Sequence, residues 1–186
     1  MNWHLSHRAD VRALPIADRH YNRQKVGSPQ FVPPGRCVVL LTENAEALWV
    51  TSWPFAEWVR HAWAGAWVCS CFRNEGSTLS SALIRDAVAI TRDVYGDPPE
   101  LGMITFVDPG KVSGFMVRTN DGPELRWGYS YWKAGFRFCG WTKGGLYALQ
   151  MLPHAMPEAM ELTRAQGQLF GAAILNELSL GTSTVE

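Results

Sequence analysis

Residues 66–107 constrain the fold more than any other stretch of this chain. Ala66-Trp67-Val68-Cys69-Ser70-Cys71-Phe72 is an apolar run of strand length, and it leads into the polar turn Arg73-Asn74-Glu75-Gly76-Ser77-Thr78. Leu79, Leu83, Ala87, Ile90 and Val94 then recur at helical spacing, with Arg85, Asp86, Arg92 and Asp93 on the opposite side. Ser77, Thr78 or Ser80 suits the cap, and Tyr95-Gly96-Asp97-Pro98-Pro99 stops the helix. Leu101 to Val107 is a second apolar strand. Strand, helix, strand in that order requires a right-handed crossover and locally parallel pairing, which fixes the class as α/β.

The flanks add strands to this unit. Cys37 to Leu41 and Ala47 to Trp53 read as a hairpin closed by Glu43-Asn44-Ala45-Glu46. Residues 111–126 read as loop. A short helix over Tyr129 to Ala134, a strand over Phe136 to Trp141 and a last strand over Leu146 to Leu152 follow. Met156 to Leu180 reads as a C-terminal helix and tail, and residues 1–36 as an irregular basic arm. At 186 residues, 47% hydrophobic and 18% charged, the chain suits one domain over 1–186 with a sizeable core. A tryptophan group, Trp58, Trp63 and Trp67, fits core or a packing lid. Cys37, Cys69, Cys71 and Cys139 lie in apolar surroundings without CxxC spacing, and Cys69 and Cys71 would share one strand face. Reduced structural thiols and a cytoplasmic location are expected. No signal peptide or membrane-spanning run is visible.

Formal charge is zero, so no global field draws the chain to nucleic acid. Locally, the arm carries Arg8, Arg12, Arg19, Arg23, Lys25 and Arg36 against Asp10 and Asp18, which hints at a phosphate-bearing partner. The cluster Arg19-His20-Tyr21-Asn22-Arg23-Gln24-Lys25 reads equally as a solvated loop or as a segment lining a site. The Arg73–Ser81 turn suits phosphate: a helix N-terminus offers unpaired amides, Gly76 allows close approach, and Arg73, Ser77, Thr78 and Ser80 add polar groups. An ordinary βα turn is the bland alternative. Asp108, past the second strand, suits a general base or a turn cap before Pro109. Tyr131 suits proton donation or packing. His4 and His7 stand at i, i+3 with His20 nearby, and with Asp108 they offer a mixed nitrogen–oxygen set for iron or zinc, but no spacing assigns a metal.

Tyr131-x-x-x-Gly135-Phe136 resembles the closing helix and strand of GNAT acyltransferases, and the whole element order resembles their mixed central sheet flanked by helices. Three features resemble the Mom-like phage DNA-modification proteins of that superfamily: His20-Tyr21-Asn22-Arg23, Asn74-Glu75-Gly76-Ser77-Thr78-Leu79-Ser80, and Ile104-Thr105-Phe106-Val107-Asp108. The resemblance covers about residues 17–150. It implies N6-carbamoylmethylation-type modification of adenine in double-stranded DNA, protecting phage DNA from restriction in a bacterial host. Asp108 and Tyr131 would be catalytic, with His20 and Tyr21 facing the base. Arg73, Asn74, Gly76, Ser77, Thr78 and Ser80 would lie at the cofactor turn, and Arg19, Arg23, Lys25 and Arg36 on DNA phosphates. Acetyl-CoA and iron are the cofactors it implies. A homodimer would pool two basic arms. The turn keeps the first glycine of the GNAT pyrophosphate signature and lacks the second. A conventional N-acetyltransferase and a non-catalytic GNAT-like interaction protein are the competing readings.

Overall fold

The computed structural model describes residues 3–55, 57, 59 and 61–162. Its centre is a mixed sheet of seven strands. In chain order the elements are β1 (Trp3–Ser6), α1 (Leu14–Asp18), β2 (Arg36–Thr42), β3 (Ala47–Trp53), β4 (Trp67–Asn74), α2 (Ser80–Tyr95), β5 (Met103–Val107), β6 (Phe115–Thr119), β7 (Gly122–Arg126), α3 (Tyr129–Ala134), β8 (Arg137–Trp141) and β9 (Tyr147–Met151). The large sheet runs β1-β2-β3-β4-β5-β9-β8, and β6 and β7 form a separate hairpin. Only β4 and β5 pair in parallel, and every other neighbouring pair is antiparallel. The α2 crossover explains this, because an α-helix carries the chain back across the sheet before β5 begins.

One face of the sheet is covered by α2 and α3. Trp3, Leu40, Trp49, Trp67 and Phe136 are fully buried there against Leu83, Ile84 and Ile90 of α2. The opposite face of β2 and β3 is covered by α1 and Val32, which pack Ile16 and Ala17 on Val39, Leu41, Leu48 and Val50. Both faces are therefore apolar, and β2 and β3 read as near-continuous hydrophobic runs for that reason.

Several expectations are corrected. The arm over residues 1–36 is not uniformly irregular: it contributes an edge strand, β1, and the buried helix α1. His4 lies on β1, so its spacing from His7 is not helical. Within residues 111–126, residues 115–126 form the β6–β7 hairpin rather than loop. The α2 helix has Leu79 at its N-cap and no side-chain cap, so Ser77, Thr78 and Ser80 do not serve there. Residues 156–162 are not helical; Met156 is buried in the core, and the Met160 amide donates to the Ala89 carbonyl. The remainder of the expected C-terminal helix, like Trp58, lies outside the described residues. Among the described residues, no helix is long and apolar enough to cross a membrane.

Candidate functional site

The parallel pair at the sheet centre is short. Trp67, Val68 and Cys69 of β4 register with Met103, Ile104 and Thr105 of β5, and the pairing ends there. Beyond it β4 stays with β3 as far as Asn74, and β5 stays with β9 as far as Val107. Each strand keeps its outer partner and releases the inner one, so a wedge opens between them. A bulge sharpens the opening. Val50 registers with Cys71 and Thr51 with Cys69, leaving Ser70 as an extra residue on β4. The bulge also corrects the cysteine expectation: Cys69 packs with the α2 face and Cys71 with the α1 face. All four cysteines are free.

The polar cluster after α1 closes one side of the wedge. Asn22 Nδ2 donates to the Ser70 carbonyl of β4 at 3.1 Å, and the His20 ring bonds the Phe72 carbonyl. Tyr21 reaches the other strand: its hydroxyl donates to the Phe106 carbonyl at 3.3 Å and meets the Asp108 backbone. Side chains thus take over carbonyls that a continuous ladder would have paired. His20 stacks on Tyr21 and pairs its Nδ1 with Asn22 Oδ1. Burial lowers the His20 pKa; the Asn22 and Phe72 acceptors raise it, while Arg73 lowers it, and the net shift is downward.

From the α2 side the wedge is met by Tyr131. Gly128 and Gly135 bracket α3 in left-handed conformations, at φ 75° and 115°. A Cβ on Gly128 would stand 2.7 Å from Leu149 Cδ1, so the entry to α3 has no room for a side chain. The Gly135 and Phe136 amides both return to the Tyr131 carbonyl, and Phe136 is buried beneath, with its ring 5.4 Å from that of Tyr131. The Tyr131 hydroxyl sits 3.5 Å from Cys69 Sγ, and Thr105 Oγ1 donates to the Cys69 carbonyl at 3.1 Å. Burial pushes the Tyr131 hydroxyl well up, and proximity to Cys69 adds to this. Burial likewise pushes Cys69 and Tyr21 up to about 12. At neutral pH these three groups keep their protons.

Asp108 caps the turn that follows β5, accepting from the Gly110 amide at 2.8 Å, while its own carbonyl takes Lys111 and Val112. That is the turn-cap role, and the carboxylate still lies close enough to Tyr21 to influence its titration. The structure therefore brings together Tyr131, Tyr21, His20 and Asp108. Asn22 joins them, as do Cys69 and Thr105, which had not been expected. Asn22 had a signal in the polar cluster; nothing in the apolar runs singled out Cys69 or Thr105.

The Arg73–Ser81 turn is organised separately. Asn74 holds it, donating from Nδ2 to the Thr78 carbonyl at 2.7 Å and to Ser80 Oγ at 3.0 Å, and accepting from the Gly76 amide. Asn74, Gly76, Ser77 and Thr78 line a cavity of about 240 Å³ whose opposite wall carries Glu43 and Glu46. A Cβ on Gly76 would lie 2.8 Å from Glu46 Oε2. The glycine thus accommodates a carboxylate of the chain itself, and this side of the turn repels phosphate.

Arg19, Arg23 and Arg36 of the arm are engaged internally. Arg19 forks onto Glu75 at 2.8 and 2.6 Å, and Arg73 joins the same carboxylate and donates to the Arg19 carbonyl. Hydrogen bonding by Arg19, the largest influence, holds Glu75 down at about 2 against a smaller opposing effect of desolvation. Arg23 pairs with Asp18 at 2.7 Å and bonds the Ser28 and Gln30 carbonyls. Arg36 lies over the rings of Trp53 and Tyr95, 5.1 Å from each. Among the described residues no group of three His, Cys, Asp or Glu comes together to hold a metal. Comparisons with family models, with curated proteins and with solved structures returned no match to this chain.

Proposed function

We propose that this chain is a group-transfer enzyme on a GNAT-like scaffold and that its acceptor is the amino group of adenine in DNA, as the resemblance to Mom-like proteins implies. One observation carries the transferase half: β4 and β5 part at Cys69 and Thr105, and a protonated tyrosine hydroxyl, that of Tyr131, stands at the point of parting. Diverging strands offer backbone groups along which an extended ligand can lie, beside the Ser70, Phe72 and Phe106 carbonyls that Asn22, His20 and Tyr21 already hold. Transfer to an amine leaves a surplus proton on nitrogen and a negative charge on the departing atom. Asp108 suits the first, as an acceptor at the mouth of the wedge, and Tyr131 the second, as a donor inside it. Together the two roles leave no proton unaccounted for.

An acyl-CoA donor would supply an activated carbonyl carbon. No side chain caps the start of α2, which leaves its first amides for the donor's phosphates, while Glu46 beside Gly76 opposes them. Iron does not fit the described residues: His4, His20 and Asp108 do not assemble a donor set there, and no step here runs through a metal.

The test is mass analysis of nucleosides from DNA of cells expressing the chain. A modified adenine is expected, falling at least tenfold in Tyr131→Phe with the fold retained. Unmodified adenine beside an active Mom-like control overturns the adenine reading. Internal pairing of the arm's arginines favours a second reading, an N-acetyltransferase acting on a small amine. It predicts acyl-CoA binding and an acetylated amine without any change in DNA.

A further inference from the structure

Residues 109–145 hold Lys111, Arg118, Arg126, Lys133, Arg137 and Lys143 against Asp121 and Glu124 alone, within a chain of zero formal charge. Arg126 is paired with Glu124. Lys111, Arg118, Lys133 and Lys143 are exposed, and among the described residues none forms an ion pair with a carboxylate. The same segment exposes aromatic faces: Tyr129 is 55% accessible, Trp141 51% and Phe138 38%. Ring contacts join the hairpin, α3 and β8, the elements that frame these rings. Phe115 of the hairpin meets Tyr129, Lys133 lies over Tyr129, Arg126 and Arg137 flank Trp132, and Trp127 meets Trp141, which meets Phe138. Tyr131, on the same short helix α3, points the other way into the wedge.

Cations without acidic partners attract phosphates, and exposed rings offer stacking faces to unpaired bases. We infer that the surface made by the β6–β7 hairpin, the outer side of α3 and β8 binds a single strand of DNA. Phosphates lie on Arg118, Lys133 and Lys143, and bases stack on Trp141 and Tyr129. This inference rests on the DNA reading for the identity of its partner, and it moves the phosphate contacts from the N-terminal arm to this lip. The lip adjoins the wedge through α3, whose outer side carries Tyr129 and whose inner side carries Tyr131.

Fluorescence anisotropy of a labelled 20-nucleotide DNA strand, titrated with the full chain at several salt concentrations, tests it. Three phosphate contacts give a log–log salt slope of about −2, since each contributes roughly −0.7 on a single strand. Arg118→Glu with Lys143→Glu is expected to weaken binding at least tenfold and flatten that slope. Trp141→Ala is expected to weaken it about tenfold with the slope unchanged, because it removes stacking and no charge. Arg19→Ala with Lys25→Ala is expected to leave binding as it was. The inference is overturned if the wild-type chain does not bind, if the charge reversals bind as tightly as wild type, or if a duplex of the same sequence binds more tightly than the strand. Modified adenine in cells without strand binding would remove this surface and keep the proposed function. Strand binding without modification would do the reverse.

Discussion

Residues 8–36 and residues 109–145 carry six cationic side chains each, yet the fold gives them different surroundings. In the first stretch Arg12, Arg19 and Arg23 find carboxylates on Asp10, Glu75 and Asp18, and Arg8 bonds the Gly35 carbonyl. The Arg19–Glu75 pair ties the polar cluster to the end of β4, and the other contacts lie within the arm itself. In the second stretch only Arg126 meets a carboxylate among the described residues. The difference teaches that a count of cations along a chain does not give its surface field. Glu75, which neutralises part of the arm, lies far from it in sequence and is brought in by β4.

Packing offers the strongest way to break the contrast. Ile16 of α1 is 1% exposed, whereas Met116 of the hairpin is 61% exposed. Ile16→Ala is expected to cost about 3 kcal/mol in urea unfolding, from lost burial and a residual cavity. Met116→Ala should stay within about 0.5 kcal/mol. Equal costs would mean that the arm is not part of the core.

Acid stability gives a second, smaller effect. His20 has a folded pKa below its ordinary value, with burial the leading cause, and His4 shifts the same way for the same leading reason. The unfolded chain therefore binds protons first as pH falls. Stability from these groups is complete above about pH 6.5 and declines as pH drops below it towards the folded values. Urea midpoints measured from pH 8 to 5 should fall in the lower half of that range, and His20→Asn should flatten the decline. A midpoint that rises on acidification would contradict the buried, neutral imidazole.

The smallest expected effect sharpens the other side. Arg118→Ala and Lys143→Ala should each change unfolding free energy by less than about 0.5 kcal/mol, because neither side chain is in an ion pair with a carboxylate among the described residues. A larger loss would show these cations serving the fold.

Much of the scaffold was legible from period and punctuation alone. The α2 stripe, the β2–β3 hairpin and the Tyr131-to-Phe136 junction each appear where apolar spacing and glycine put them, since local propensity and burial agree there. The β6–β7 hairpin escaped because its strands, none of whose residues is buried, cover too little to show an apolar run. The short edge strand β1 escaped for a related reason: it is four residues long and owes its pairing to β2. The candidate site divides in the same way. Tyr131 and the His20–Asn22 cluster could be picked out by residue type, but Cys69 and Thr105 are ordinary strand residues until the parallel pairing stops at them.

The sequence by itself determined an α/β chain with one crossover, a helix closed by Gly135, and a polar cluster with nowhere to pack except a surface or a gap. Tertiary structure decided which of these it was. A parallel pair held from outside by β3 and β9 opens once its inner hydrogen bonds stop, and the exposed carbonyls of Ser70, Phe72 and Phe106 then require partners. Asn22, His20 and Tyr21 supply them. No local pattern encodes that demand, because it arises only when two strands distant in sequence are brought together and then diverge.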